Sequence, residues 1–487
     1  MLKALFIQLL FLLLIAPSQA QFCTSFFLKS NVDVFNDKIC PELLLSDLQF
    51  IKRKLDEVHP SLYAYCSKAS FDSSYNASIL MVNEPLSIYD FSLLVSDWVR
   101  LLKDSHTFLI PKYLASYKYK RRYFLPFRLV EIDNKILVEK SWKNRIPKGS
   151  ELISFDQVNI KKTQESSFRL SPTDGDVASA REEFSIAQLN SLLNLMSRYP
   201  QKNIKYALPG QDTVSVVLKA PLFNRSSNLL EITPKEKNLF LSIKGSNAHL
   251  VISSFSPKSY KKFKNKLTQI FKEIKDKQVE SLVIDLRNNT GGFVGLEEYL
   301  RLLIANDQSS TKSNYVYKRS AHDRFSTLSF QQRLQFKKMG RHRNSSEAIR
   351  RELAFYQSPF GTSDTILITT QLKNKYILPY TGKCTLLTNG LTMSASANFT
   401  GWFRSANRGL IIGTPCMGTS TGTFANSAQI TLPNTLLSMS FSTLKITPAS
   451  LNALSLDPII PDVLIYPTQT QLLNNIDPCL EYLLIKQ

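Results

Sequence analysis

From Leu239 onward, short apolar runs alternate with amphipathic stretches, and this alternation most strongly constrains the fold. The runs "NLFLSIKG", "AHLVISSF", "SLVIDL", "KCTLLTNG" and "RGLIIGT" have the length and composition of strands. The stretches "SYKKFKNKLTQIFKEIKDK", "GLEEYLRLLIAN" and "SASANFTGWFRSAN" have the apolar spacing of helices. Strands that alternate with helices predict an α/β core with a largely parallel sheet.

Two of these predicted strands end in turns that could bind a ligand. "SLVIDL" leads into "RNNTGG", where Gly291 and Gly292 permit positive φ and close approach of the backbone. "KCTLLTNG" leads into "LTMSASANF", where Ser394 begins a helix. Ser394 is either an ordinary helix cap or a nucleophile; in the second case, the N–H groups of Ala395, Gly291 and Gly292 would donate to the oxyanion that develops on the substrate carbonyl. Because sites in α/β sheets gather at the carboxyl ends of strands, we expect both turns to belong to one site.

A nucleophilic serine needs a base, and the sequence offers a histidine and a lysine. His106 lies in "LLKDSHTFLIP", where a predicted helix ends, and Lys445 is the only lysine between Ala395 and Ser450. His59, His249, His322 and His342 are widely separated, and neither HExxH nor C-x-x-C occurs. The sequence therefore predicts no metal and no cofactor.

The first twenty residues, "MLKALFIQLLFLLLIAPSQA", have the pattern of a secretory signal with cleavage after Ala20. Later residues contain no uninterrupted apolar run of about 18, so we expect no membrane span. An exported chain, in a bacterial periplasm or secreted, allows disulfides. Among the six cysteines, Cys23 and Cys40 form the most local possible pair, and the pairing of the others stays open.

The pattern divides the mature chain into three parts. Residues 21–119 are predicted to be helical, 120–222 to form a small β-rich module, and 230–487 to form the α/β core. A basic insertion near residues 312–351, with eleven Lys/Arg and two acidic residues, is predicted to be a solvated helical insertion or lid. The formal net charge is +21, but the lysines are scattered. This favours a solvated basic surface over nucleic-acid binding.

Five motifs resemble, in content and order, those of the C-terminal (tail-specific) processing proteases and the tricorn core protease. They are "LLKDSHT", "VIDLRNNTGG", "TNGLTMSASANF", "GLIIGTPCMG" and "PIIPDVLI". The resemblance implies a ClpP/crotonase-like α/β catalytic core and a PDZ-like domain at residues 120–222. It also implies a serine peptidase that acts on peptides or unfolded protein tails, and a PDZ-like domain that could hold such a tail by its C-terminus.

Carried over by position, the resemblance makes Ser394 the nucleophile and His106 the base of a tricorn-like Ser–His branch, with Ser105 orienting the base. The lysine of the other branch falls on Thr419, which argues against a Ser–Lys mechanism. The family's acidic residue falls on Ser455, so Asp457 is the nearest candidate acid.

Asp462 matches an aspartate of the family that is expected to be structural. The alternative to a peptidase is a non-catalytic protein that binds peptides or apolar ligands on the same scaffold. A polyanion-binding protein is the least favoured hypothesis.

Overall fold

The computed structural model describes residues 34–109, 123–196, 199–221, 238–305, 310–341, 347–371, 379–449 and 456–485. In these ranges, no helix is both long enough and apolar enough to cross a membrane. The predicted signal, Cys23 and Ser455 lie outside them. Cys40 is disulfide-bonded, whereas Cys66, Cys384, Cys416 and Cys479 are free thiols.

The N-terminal region is helical, as its apolar spacing predicts. Its helices are α1 (Pro41–Val58), α2 (Lys68–Met81) and α3 (Ile88–Val99), and its short strands are β1 (Lys38–Ile39), β2 (Leu86–Ser87) and β3 (Phe108–Leu109). The buried stripe of α1, which includes Leu44, Leu48 and Ile51, packs in one cluster with residues from far along the chain, such as Leu432 and Met439. The region is therefore part of one body with the C-terminal strands.

Residues 123–221 form an inserted module around an antiparallel sheet. Its strands are β4 (Phe127–Ile132), β5 (Lys135–Ser141), β6 (Glu151–Phe155), β7 (Val158–Asn159), β8 (Gln201–Ala207) and β9 (Thr213–Lys219), and its helices are α4 (Ile160–Leu170) and α5 (Ala178–Met196). The sheet order is β4-β5-β6-β8-β9, with β7 paired to β6. As predicted, β4 and β5 meet at Asp133 and Asn134, which both have positive φ.

The two helices of the module were not predicted. Helix α5 buries Leu189 and Leu193 against the module sheet, and it buries Ala180 against the core. Because α5 is buried on more than one side, its sequence lacks the single apolar stripe that marks a surface helix.

The core begins at Leu239. Its helices are α6 (Tyr260–Asp276), α7 (Val294–Ile304), α8 (Phe330–Arg341), α9 (Glu347–Tyr356), α10 (Ala395–Ser405), α11 (Gln469–Asn474) and α12 (Pro478–Ile485). Its strands are β10 (Leu239–Lys244), β11 (Asn247–Ile252), β12 (Ser281–Asp285), β13 (Ser310–Lys318), β14 (Ser363–Gln371), β15 (Lys383–Thr388), β16 (Leu410–Gly413), β17 (Thr423–Ala425), β18 (Ala428–Thr431), β19 (Ser438–Phe441), β20 (Leu444–Pro448) and β21 (Val463–Leu464).

The main sheet has the order β10-β11-β12-β15-β16-β21, and only β10 is antiparallel to its neighbour. The predicted α/β class with a largely parallel sheet is thus confirmed. In the register of β12 and β15, Asp285 lies opposite Leu387, so both strands end at the same edge. That edge carries the turns that contain the two glycines and Ser394.

The basic insertion is only partly helical. Helices α8 and α9 lie in it, but it starts within β13, which pairs with β14 and β20 in a four-stranded sheet of order β14-β13-β20-β17. The prediction of a helical insertion is therefore wrong for residues 312–318, which belong to β13. Its strand character depends on pairing with β20, more than a hundred residues further along the chain.

Candidate active site

Ser394 lies in a strained turn between β15 and α10. Its backbone has φ 54° and ψ −122°, a conformation that residues other than glycine seldom adopt. The helix begins at Ala395, but the Ser394 side chain makes no capping hydrogen bond. Instead, Ser394 Oγ lies 3.0 Å from His106 Nε2. This geometry excludes the interpretation of Ser394 as an ordinary helix cap.

His106 is held between two serines. Its Nε2 faces Ser394, and its Nδ1 lies 3.3 Å from Ser105 Oγ. Burial lowers the pKa of His106, against the attraction of the Asp104 carboxylate, which raises it. The imidazole is therefore neutral at neutral pH, the state that can accept a proton from a hydroxyl group.

Asp104 fixes the turn that carries His106. Its Oδ1 accepts the backbone N–H of His106 at 2.8 Å. Its Oδ2 lies within hydrogen-bonding distance of His59 Nε2 (3.1 Å), Thr107 Oγ1 (2.6 Å) and Ser442 Oγ (2.6 Å). Burial opposes ionisation of Asp104, but the hydrogen bonds from His59 and Ser442 outweigh it and lower the pKa of Asp104. Asp104 is thus a buried, ionised carboxylate with four donors.

A second buried carboxylate, Asp174, reaches the site from the loop between α4 and α5. Its Oδ2 accepts hydrogen bonds from Ser105 Oγ at 3.3 Å and Thr423 Oγ1 at 3.2 Å. Its Oδ1 has no hydrogen-bond partner among the described residues. Burial, reinforced by the Asp104 charge, raises the pKa of Asp174 well above its usual range, while Lys445 counteracts this.

Lys445, the alternative base, lies near Asp174 rather than at the nucleophile. Its Nζ lies 4.6 Å from the ring centre of Tyr65 and 5.2 Å from that of Phe424. Burial lowers the pKa of Lys445 to about 8. Thr419, which stands where the Ser–Lys branch has its lysine, is buried. A Cβ on Gly175 would lie 2.3 Å from the Thr419 methyl group, so the loop of Asp174 fills this space.

The double-glycine turn packs directly against the serine. A Cβ on Gly291 would lie 2.6 Å from Ser394 Cβ, so only glycine allows this approach. The Gly291 N–H, predicted to face the oxyanion, donates to Asn289 Oδ1 at 2.9 Å. Gly292 and Ala395 carry the other two predicted donors, and their N–H groups have no acceptor in the described part of the chain. Of the three predicted donors, the Gly291 N–H is therefore already bonded, and the oxyanion role of Gly292 and Ala395 stays a prediction.

Reciprocal hydrogen bonds hold the two turns together. Asn288 N donates to Asn389 Oδ1 at 2.8 Å, and Asn389 Nδ2 donates back to Asn288 Oδ1 at 3.1 Å. Met393 N also donates to the backbone oxygen of Asn289 at 3.0 Å. The asparagines of "NNTGG" therefore serve to fix the turn against the nucleophile.

Helix α5 of the module braces the turn before Ser394. Glu183 accepts the backbone N–H of Gly390 at 2.8 Å and also the Thr414 hydroxyl. A Cβ on Gly390 would lie 2.7 Å from Ala180 Cα, so the helix and the turn are in direct contact. Ala180 also packs with Met393, the residue before the serine. Burial raises the pKa of Glu183 to about 7.

The two aspartates near the C-terminus, Asp457 and Asp462, differ in their surroundings. Asp457 is exposed, and the carboxylate that contacts Ser105 is that of Asp174. Asp462 accepts the Ile411 N–H at 2.7 Å and pairs with Arg404, which anchors β16 as a structural aspartate would. A role for Asp457 stays a prediction.

Sequence reasoning missed three polar residues of the site: Asp104, Asp174 and His59. Asp104 stands in the motif "LLKDSHT", so its position beside His106 could have drawn attention. Asp174, in "SPTDGDV", carries no sequence signal, because an Asp-Gly pair in a loop is typical of an ordinary turn. Across the described residues, no group of His, Cys, Asp or Glu could hold a metal ion.

Residues 247–465 match the family model described as Peptidase family S41. A search of curated proteins gives no match. Among solved structures, mature CPAF complexed with lactacystin is similar, with a TM-score of 0.61, 14% identity, and coverage of 92% of this chain and 97% of that chain. Mature CPAF alone gives a TM-score of 0.59 at 14% identity, with coverage of 91% and 96%. At these identities the similarity shows a shared fold over nearly the whole length.

Proposed function

Given that residues 247–465 form a peptidase family S41 domain and that the chain is therefore a serine-type peptidase, we propose that it hydrolyses peptide bonds by a Ser394–His106 mechanism. The observation that carries this proposal is the 3.0 Å separation between Ser394 Oγ and His106 Nε2. A neutral imidazole at this distance can act as general base towards the hydroxyl group.

The reaction proceeds in two halves. His106 takes the proton of Ser394 as Oγ attacks the scissile carbonyl carbon, and the carbonyl π electrons move to the oxygen. When the tetrahedral intermediate collapses, the C–N bond breaks and His106 returns the proton to the leaving amine. Water, activated by the same histidine, then attacks the acyl-enzyme ester, and Ser394 regains its proton as the product acid leaves.

The oxyanion of each tetrahedral intermediate is stabilised by backbone donors. The N–H groups of Gly292 and Ala395 supply these hydrogen bonds, since the Gly291 N–H is bonded to Asn289. Gly291 contributes instead by its lack of a side chain, which lets the turn lie against Ser394. Removal of a single oxyanion donor typically costs about 10²–10³ in kcat.

The substrate is a peptide or an unfolded protein tail that the module binds through its C-terminus. The two outer strands of the module sheet are β4 and β9, and the chain just before β4 is bonded to α5: Asn194 accepts from the Leu125 N–H at 2.7 Å and donates to the Leu125 oxygen at 3.0 Å. Strand β9, with exposed Val214 and Val217, pairs only with β8 among the described residues and so offers an edge for a further strand. An extended tail would add to β9 as a further strand.

Export is supported by the predicted signal and by Cys40. A structural disulfide is typical of oxidising compartments such as the periplasm or the extracellular medium. The mature enzyme would thus act outside the cytoplasm of the producing cell, in a bacterial periplasm or as a secreted protein.

A fluorophosphonate probe and an unfolded fluorescent protein substrate test the mechanism. Wild type should label and turn over, and Ser394→Ala should abolish both. His106→Ala should lower kcat by about 10³-fold or more, as removal of a triad member does in other serine peptidases. Lys445→Ala should retain far more turnover at pH 8 than His106→Ala.

Two results would contradict the proposal. A wild-type chain that binds peptides or apolar ligands, but neither labels nor turns over, would be a binding protein on this scaffold. If Lys445→Ala were inactive and His106→Ala active, the serine would use the lysine as its base.

A further inference from the structure

We infer that Asp174, supplied by the inserted module, is the carboxylate that positions His106 for proton transfer, and that it acts through Ser105. This inference rests on the proposed Ser394–His106 peptidase. It assigns a role to a loop, residues 171–177 ("SPTDGDV"), that we call the acid loop.

The directions of the hydrogen bonds follow from the chemistry of the acceptor. In the state that the inferred role requires, Asp174 is ionised and its Oδ2 can only accept, so Ser105 Oγ donates its hydrogen to Asp174 Oδ2. The Ser105 oxygen then presents a lone pair to His106 Nδ1, 3.3 Å away, and Nδ1 must carry the ring hydrogen. This leaves the lone pair on Nε2, which faces Ser394 Oγ. The chain Asp174–Ser105–His106 therefore selects the tautomer that can act as a base.

Asp104 cannot fill this role in the same way. Its nearest oxygen lies 3.8 Å from His106 Nδ1, beyond a hydrogen bond, and that oxygen accepts the His106 backbone N–H. Its other oxygen has three donors. Asp104 thus fixes where the histidine backbone lies, and Asp174 fixes which ring nitrogen carries the hydrogen.

Charged and titratable groups surround Asp174 on several sides. Asp104 and His106 come from the segment before β3, Tyr65 from the segment after α1, and Lys445 from β20. Burial and the Asp104 charge raise the pKa of Asp174, whereas the Lys445 ammonium favours its ionised form. Lys445 is the nearby cation that helps to keep the carboxylate able to accept.

The acid loop is fixed at its tip by both neighbouring regions. Gly175 N donates to the Lys103 oxygen at 3.0 Å, and Asp176 N donates to the Leu456 oxygen at 2.9 Å. Lys103 Nζ also lies 2.8 Å from Asp176 Oδ2. The position of Asp174 therefore depends on the module being docked against the other two regions.

The first test compares Asp174→Asn with Asp176→Asn. An amide at 174 can donate to Ser105, which would reverse the chain and place the ring hydrogen on Nε2. We expect kcat to fall by about 10²-fold with KM little changed, less than the roughly 10⁴-fold loss when a directly bonded triad aspartate becomes asparagine. Asp176→Asn, two residues away in the same loop, keeps a side-chain oxygen that can accept from Lys103 and the backbone bond to Leu456, and it lies outside the chain from Asp174 to His106, so it should keep wild-type kcat.

The second test reads the tautomer directly and does not need activity. In protein labelled with ¹⁵N-histidine, the His106 ring should be the Nδ1–H tautomer in wild type and in Asp176→Asn, and should shift towards Nε2–H in Asp174→Asn. His106→Ala identifies the signal. Because this readout does not require turnover, it separates failure of this inference from failure of the proposed peptidase activity.

The third test asks whether Asp174 acts through Ser105. In a Ser105→Ala background, Asp174→Asn should lower kcat by less than a further threefold, because the hydrogen bonds between Asp174 and His106 are already lost with the Ser105 hydroxyl. The inference is overturned by wild-type kcat in Asp174→Asn, by an Nε2–H tautomer in wild type, or by losses that multiply fully in the double variant. A large loss in Asp457→Asn, with Asp174→Asn fully active, would assign the role to Asp457.

Discussion

Two buried carboxylates flank His106, and they differ in how fully they are satisfied. Asp104 has four hydrogen-bond donors within 3.1 Å, and its pKa is lowered. Asp174 has two donors at 3.2 and 3.3 Å, one oxygen without a partner among the described residues, and a raised pKa. The four donors of Asp104 hold it in its ionised form. The pKa of Asp174, which has only two donors, depends more strongly on nearby charges.

The difference also reflects which part of the chain supplies each group. Asp104 precedes the histidine by two residues and is bonded to its backbone. Asp174 belongs to the inserted module, and the position of its carboxylate depends on how the acid loop and α5 pack against the rest of the protein. The comparison suggests a division: Asp104 maintains the architecture of the site, and Asp174 tunes its chemistry.

The largest expected difference between the two carboxylates is in their contribution to the stability of the fold. Asp104→Ala leaves His59, Thr107 and Ser442 as buried donors without an acceptor, so the free energy of unfolding should fall by about 3–5 kcal/mol. Urea denaturation measures the loss. Asp174→Asn should change stability by less than half as much, and an equal loss in both variants would remove the distinction.

A second prediction concerns the docking on which Asp174 depends. Gly390→Val places a side chain where α5 already lies, since even a Cβ would be 2.7 Å from Ala180 Cα and 2.8 Å from Glu183 Cβ. Displacement by about 1 Å should lower kcat by about 10²-fold. Gly210→Ala, with positive φ but nothing within 4 Å of the new Cβ, is the control and should keep its activity. Full activity in Gly390→Val would show that the site tolerates a displaced module.

The smallest effect concerns pH. Turnover requires neutral His106 and ionised Asp174, so activity should rise with pH as both lose their protons. Without the Lys445 cation, the pKa of Asp174 rises further, and the acid limb of kcat/KM in Lys445→Met should move to higher pH. We expect a loss of about threefold at pH 6 and little loss at pH 8. In Asp174→Asn the limb should instead move to lower pH, because His106 loses a nearby negative charge.

The core fold could be predicted from the sequence because its signals are local. Apolar runs such as "SLVID" predict strands, and amphipathic stretches such as "YKKFKNKLTQIFKEIKD" predict helices, without reference to the rest of the chain. Their alternation predicts a largely parallel sheet. Helix α5 and strand β13 escaped prediction because each owes its structure to partners distant in sequence.

The site shows the same limit. Ser394, His106 and the double glycine stand in recognisable motifs, and the structure brings them together. The resemblance points to the neighbourhood of Ser455 and hence to Asp457 as the acid, whereas the carboxylate that contacts Ser105 is that of Asp174, 69 residues after Ser105 and within the module. Only the docked loop reveals this contact. The engagement of Gly291 N–H by Asn289 likewise depends on a side-chain rotamer that sequence does not specify.

The long separation between the parts of the site has a consequence for biosynthesis. His106 and Ser394 are 288 residues apart, and Asp104 is bonded to Ser442, 338 residues further along. The N-terminal helices also complete their core only with residues 430–441. A ribosome-bound chain that lacks these residues has no assembled site and an open N-terminal core, and such distant contacts form slowly. We therefore expect the nascent peptidase to be inactive until the strands that contain residues 430–441, and Ser442 after them, have left the ribosome.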